Sequence, residues 1–217
     1  MKQTIKYLIK SILAGIMIGI GGTVFLSLEN KVAGATFFAI GLFIIVIYQL
    51  NLYTGKIGYI FENNLKYAYE TLVTIVGNFI GTFFVGFILK FTRIYANISE
   101  KAQGMCATKL DDSITSILIL SFFCGILMYL AVNGYKTMKD PIGKYAGVFL
   151  GVIVFILCGF EHSIANMYYF SVAEAWSLKA FGYELLMIFG NALGGILFPL
   201  CNMAKKWLTP ETQQKSN

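Results

Sequence analysis

Apolar residues fall in six long runs, about 8–28, 32–50, 71–90, 114–133, 145–160 and 181–200, nearly free of charge and separated by polar segments. Roughly 20 apolar helical residues cross a hydrocarbon core about 30 Å thick. The pattern therefore predicts an all-α membrane protein with six transmembrane helices. Two runs are interrupted. The second dissolves into Gln49-Leu50-Asn51-Leu52-Tyr53-Thr54-Gly55-Lys56, and the fifth stops after 16 residues at Glu161-His162. Both predict broken helices, the fifth resuming as a half-helix near 163–170.

The pattern also repeats. Ala14-Gly15-Ile16-Met17 parallels Cys124-Gly125-Ile126-Leu127, and Gly77-Asn78-Phe79-Ile80-Gly81 parallels Gly190-Asn191-Ala192-Leu193-Gly194. The two polar breaks lie at nearly the same offset, about 110 positions. Two three-helix halves, about 1–96 and 110–206, are expected within a single transmembrane domain spanning 1–217, with a polar tail at 207–217. An odd number of spans per half inverts the second half in the membrane plane, and broken helices of such halves meet near the midplane. Small residues four apart let helices approach closely.

Composition supports the membrane setting: 57% of residues are hydrophobic and 13% charged, against about 25% charged in soluble domains. Lys2, Lys6 and Lys10 ahead of the first run resemble a signal peptide, but the run is too long and is expected to be kept as helix. With the N-terminus inside, that side holds Lys2, Lys6, Lys10, Lys56, Lys66, Lys136, Lys139, Lys144, Lys205, Lys206 and Lys215, against Lys31, Lys90, Arg93, Lys101, Lys109 and Lys179 outside. The excess puts both termini in the cytoplasm and the protein in the plasma (inner) membrane. The net charge of +6 then reflects topology and calls for no nucleic-acid partner. Four cysteines without a CxxC pair suggest neither a metal nor a disulfide framework, and no cofactor is expected.

One histidine is present, His162, in Gly159-Phe160-Glu161-His162-Ser163-Ile164-Ala165-Asn166-Met167. A titratable pair at membrane depth needs protein partners or a water-filled path, which marks it as the first functional candidate. Half-helix N-termini aimed at the centre would favour an anion there. Neighbours on a helix point about 100° apart, so Glu161 is expected to hold the loop rather than contact His162. Glu184 is expected at an interface, with lipid or another subunit.

The histidine motif, with Leu52-Tyr53-Thr54-Gly55 and Gly190-Asn191-Ala192-Leu193-Gly194-Gly195, resembles the formate/nitrite transporter family from Leu13 to about Leu200. The resemblance implies an aquaporin-like fold of six spans with helices two and five broken, and a homopentamer with a pore in each protomer. It also implies that His162 is the central pore histidine and that Thr54 faces it. Leu52 and Tyr53 would form the gating loop, Phe38 and Phe155 the apolar constrictions, and Leu42 and Val132 further constriction residues. Asn166 would hold the loop or orient His162. The chain departs from the family pattern at Tyr129, where an asparagine is usual, and at Ser113, where a lysine is usual; Lys109 stands one helical turn earlier as a vestibule candidate. The whole is most similar to the hydrosulfide channel branch. A small monovalent anion of a weak acid is the implied substrate: hydrosulfide first, formate or nitrite as alternatives. Channel and proton-coupled carrier are not separated by the sequence. A membrane-embedded enzyme built on Glu161, His162 and Thr54, or a structural membrane protein, remain as other classes; neither a second histidine nor a nucleophile motif supports catalysis.

Overall fold

A computed structural model describes residues 2–208, with side chains from residue 3; Lys215 and the tail from 209 onward lie outside the described residues. The described chain contains no strand. Its helices are α1 (Lys2–Ser27), α2 (Lys31–Phe38), α3 (Ile40–Ile47), α4 (Tyr53–Lys56) running into a 3-10 segment (Ile57–Glu62), α5 (Leu65–Leu89), α6 (Tyr95–Asp111), α7 (Ile114–Thr137), α8 (Pro141–Cys158), α9 (Ser163–Val172) and α10 (Leu178–Leu208). Five of these, α1, α5, α7, α8 and α10, are long and apolar enough to cross a membrane, and Lys31–Ile47 is a shorter apolar stretch.

Helix ends follow capping chemistry rather than the limits of the apolar runs. Helix α5 starts at Leu65 because the Asn64 side chain accepts from the Tyr67 N–H. Helix α8 starts at Pro141 behind Asp140, whose carboxylate accepts from the Gly143 N–H, so it reaches 18 residues rather than 16. Such caps satisfy N–H groups that the first helical turn leaves bare. Helix α10 continues to Leu208, so Trp207 and Leu208 are helical rather than tail.

The main element missing from the hydropathy pattern is α6, because its mean polarity hides one buried stripe: Ile98, Ala102 and Cys106, every fourth residue, are at most 1% exposed. Lys109 stands one turn further, on a helix and not in a solvated loop.

Helices α1 and α5 pack as one close pair, α7 and α10 as another. A Cβ on Gly15 would land on the Asn78 carbonyl and one on Gly81 on the Ile12 carbonyl; Gly125 meets the Asn191 carbonyl and Gly194 the Phe122 carbonyl in the same way. Glycine is thus required at matching places in both pairs, where backbone touches backbone.

Candidate functional site

The site lies where the two interrupted segments meet. Helix α3 ends at Ile47, is capped by Tyr48, and the chain turns at Gln49, which has φ 51°; α8 ends at Cys158 and turns at Gly159, φ 70°. The turns close alike: Leu50 N–H donates to the Ile45 carbonyl and Phe160 N–H to the Phe155 carbonyl, each at 2.9 Å. The next residues are tied alike to a long helix, Asn51 N–H to the Lys10 carbonyl and Glu161 N–H to the Leu120 carbonyl, each at 3.3 Å.

One buried asparagine clamps each turn. Asn78 accepts from the Tyr53 N–H at 2.9 Å and donates to the Ser11 and Asn51 carbonyls at 2.7 and 2.8 Å. Asn191 accepts from the Ser163 N–H at 2.9 Å and donates to the Ser121 and Glu161 carbonyls, both at 2.8 Å. A turn at membrane depth cannot leave these groups to water, so one carboxamide satisfies three of them. The sequence pattern shows both asparagines only as parts of a repeat; a carboxamide midway along two apolar runs was the available signal for the clamps.

His162 caps α9: its Nδ1 accepts from the Ala165 N–H at 3.1 Å. A nitrogen that accepts holds no proton, so we assign the neutral tautomer with hydrogen on Nε2. Nε2 lies 3.0 Å from Thr54 Oγ1 and therefore donates to it. The Thr54 hydroxyl proton is left free to serve another acceptor. This contact joins α4 to α9, 108 residues apart in sequence. The imidazole stacks on Phe155, centroids 5.4 Å apart, and Phe155 meets Phe38 edge-on at 5.8 Å. The two phenylalanines thus form one aromatic layer. Leu42 is buried one turn beyond Phe38, and Ile45 and Val46 carry that stripe on to a cavity.

Two cavities flank this layer. One, about 540 Å³, is lined by Lys10, Lys56, Lys136, Leu52, Gly55 and Val132 among others. The other, about 330 Å³, is lined by Lys31, Lys109, Phe155, Glu161, His162 and Asn166 among others. Between them, Phe38, Leu42, Tyr53, Thr54 and His162 are at most 2% exposed.

Glu161 does not contact His162. Its Oε2 accepts from Lys109 Nζ at 2.5 Å and from Asn166 Nδ2 at 2.7 Å. Asn166 thus braces the loop through Glu161 and makes no side-chain bond to the imidazole. Tyr53, beyond its N–H bond to Asn78, donates its hydroxyl to the Ile188 carbonyl at 2.9 Å. Tyr129 is not brought to the histidine; it packs on Tyr59 and against Gly58. Glu184, expected at an interface, is instead inside the protomer at 3% exposure. Among the described residues no cluster of three or more His, Cys, Asp or Glu is placed to hold a metal.

An all-helical bundle with several membrane-long helices and two lysine-lined cavities on either side of a dry polar pair has the architecture of a multi-pass membrane channel or transporter. The family can be stated more closely. This chain belongs to the formate/nitrite transporter family, whose profile, described as "Formate/nitrite transporter", matches residues 1–204. It is 24% identical to the nitrite transporter NirC of Salmonella typhimurium, over 95% of this chain and 84% of that protein. It is 27% identical to the formate channel BtFdhC of Bacillus thuringiensis, over 79% and 71%. Among solved structures, "Pentameric formate channel with formate bound" superposes with a TM-score of 0.80 at 22% identity, covering 96% of this chain and 99% of that one.

Proposed function

We propose that the protein conducts small monovalent anions of weak acids between the two cavities, through the Phe38–Phe155 layer and past the Thr54–His162 pair. The observation that carries this reading is the Thr54–His162 hydrogen bond, held between two lysine-lined cavities by residues from both interrupted segments. Lysines concentrate an anion in either cavity. The aromatic layer penalises a bare ion heavily and its neutral conjugate acid far less. At the centre, His162 Nε2–H supports Thr54, and the Thr54 hydroxyl donates to the solute. A neutral donor chain greets an anion without trapping it, as a fixed positive charge would. Leu52 and Tyr53, tied through Asn78, form the gating segment, with Val132 opposite Gly55 at the rim of the larger cavity. Lys109 and Asn166 hold Glu161 and, with it, the start of α9.

In the same reading the chain is one domain of six spans, halves about 1–96 and 110–206 inverted in the membrane, with Lys31–Glu62 as the broken second span and α8–α9 as the fifth. The matching turns, clamps and glycine contacts support it. Both termini face the cytoplasm of a plasma membrane, so the Lys10 cavity is the cytoplasmic one. Homopentameric assembly is carried over from the pentameric formate channel of like fold. For the substrate, the relatives' names speak for formate or nitrite, while Tyr129 and Ser113 are the departures behind hydrosulfide. Flux into proteoliposomes, compared for hydrosulfide, formate, nitrite and chloride at two pH values, tests the reading. Weak-acid anions are expected to pass faster at the lower pH and chloride to lag; equal chloride and formate rates would overturn it.

A further inference from the structure

The two cavities differ in charge. The smaller has Lys31 and Lys109 on its wall, but Lys109 is paired with Glu161, which lines the same cavity. The larger has Lys10, Lys56 and Lys136 and no acidic residue on its wall. The acids whose fields reach these lysines, Glu62 and Glu70, make no ion pair with any of the three, and Glu70 is bridged to Lys66 instead, at 3.8 Å.

Neutral partners hold the three ammonium groups in place. Lys10 Nζ donates to the Gln49 carbonyl at 3.2 Å and Lys56 Nζ to Asn51 Oδ1 at 3.4 Å, so both are anchored to one turn, two residues apart. Asn51 is fixed in its own right, its N–H on the Lys10 carbonyl at 3.3 Å and its Nδ2 on the Tyr7 carbonyl at 3.1 Å. Lys56 Nζ also lies 5.0 and 5.1 Å from the ring centroids of Tyr7 and Tyr67, and Lys136 Nζ lies 3.9 Å from that of Tyr59, three residues beyond Lys56. Carbonyls and ring faces orient an ammonium group without cancelling its charge. Each ammonium carries three N–H donors, and among the described residues at most one is taken by a hydrogen bond to the protein.

Positioned, uncancelled positive charges around a cavity of about 540 Å³, well within the size range of small-molecule pockets, suit an anion with more than one charge. We propose that the larger cavity binds a polyvalent oxyanion of the inorganic phosphate class through Lys10, Lys56 and Lys136, and that this ion blocks conduction from that side by occupying the lysines that gather the permeant anion. Charge both holds such an ion and keeps it from passing. Its attraction to the lysines grows in proportion to its charge, while its cost of leaving water grows with the square of that charge. The Phe38–Phe155 layer favours the neutral conjugate acid of a monoanion, and phosphate near neutral pH has almost none. A phosphodiester lipid headgroup carries a single negative charge and is the weaker competitor.

The block rests on the conduction reading given above; the binding does not, and the two are measured separately. Isothermal titration calorimetry with inorganic phosphate, in mildly alkaline chloride buffer of fixed ionic strength, reads binding to the protein in phosphatidylcholine nanodiscs, where no anionic headgroup is present. Wild type is expected to bind. Lys56→Gln and Lys136→Gln should each weaken binding roughly tenfold or more, the effect of losing one hydrogen bond to a charged group, and Lys66→Gln, outside the cavity, should not. Lys136 is exposed, so its substitution leaves the packed core intact. Binding that disappears when phosphatidylglycerol is added to the nanodiscs would assign the lysines to headgroups and overturn the inference. In parallel, formate uptake by right-side-out and inverted membrane vesicles is measured with and without external phosphate, as a ratio within each chain. Inhibition is expected in one vesicle orientation only, relieved by raising formate and weakened in Lys136→Gln. No heat of binding, binding unchanged in both cavity variants, or equal inhibition from both sides overturns the inference. Absence of formate uptake by every chain would instead defeat the conduction reading, and calorimetry would still decide for or against the phosphate site.

Discussion

The two interrupted segments share a backbone and differ in what it carries. Gln49 and Gly159 turn the chain in the same way, Asn78 and Asn191 clamp the next residues with the same three bonds, and Ser11 and Ser121 supply matching carbonyls. At the position after Asn51 stands Leu52; at the equivalent position after Glu161 stands His162. Leu52 offers no side-chain cap to α4, which lasts four residues before tightening into a 3-10 segment. His162 caps α9, which runs for ten. The residue before it differs as well: Lys56 reaches Asn51 Oδ1 at 3.4 Å, while Lys109 reaches the Glu161 carboxylate at 2.5 Å. The frame is duplicated, and the chemistry sits in its asymmetry.

The asymmetry breaks most severely at Lys109. Lys109→Ala leaves Glu161 charged, buried and without its ion-pair partner, and is expected to cost about 3–5 kcal/mol in thermal unfolding. Glu161→Gln placed on top should restore most of the loss, whereas Lys56→Ala, facing a neutral amide, should cost far less.

The shared frame is tested next. Asn78→Ala and Asn191→Ala each strand one N–H and two carbonyls, and each should lower stability by roughly 1–3 kcal/mol. Similar losses in melting experiments support equivalent clamps; a large loss at one site with none at the other would contradict them. The smallest effect concerns the turns. Gln49→Gly relieves a side chain held at positive φ and is expected to be neutral or stabilising by up to about 1 kcal/mol, while Gly159→Gln should destabilise by a similar amount.

The spans with strong apolar runs were legible in the sequence because burial in lipid and burial in protein demand the same residues. The repeat was legible too, since Gly15, Gly81, Gly125 and Gly194 sit where backbones touch. Helix α6 was not, because its buried stripe of Ile98, Ala102 and Cys106 is narrow, and polar and charged residues make up much of the rest. The proximity of Thr54 to His162 came from a family resemblance, not from spacing, since nothing local links positions 108 residues apart. The partner of Glu161 was missed for a related reason: Lys109 looks solvated until α6 is known to exist. Glu184 was misplaced because a lone carboxylate near the start of an apolar run reads as interfacial unless its helix is seen to begin six residues earlier, at Leu178.

The central claim is that the residue distinguishing the two turns is the one that makes a passage. Replacing His162 by leucine, the residue of the other turn, and measuring formate uptake into proteoliposomes tests it most directly. Loss of the neutral hydrogen bond that holds the Thr54 hydroxyl toward the solute, worth about 0.5–1.5 kcal/mol, predicts a fall of roughly 2–10-fold in flux from a protein that still folds and assembles. Undiminished flux through His162→Leu would contradict the account.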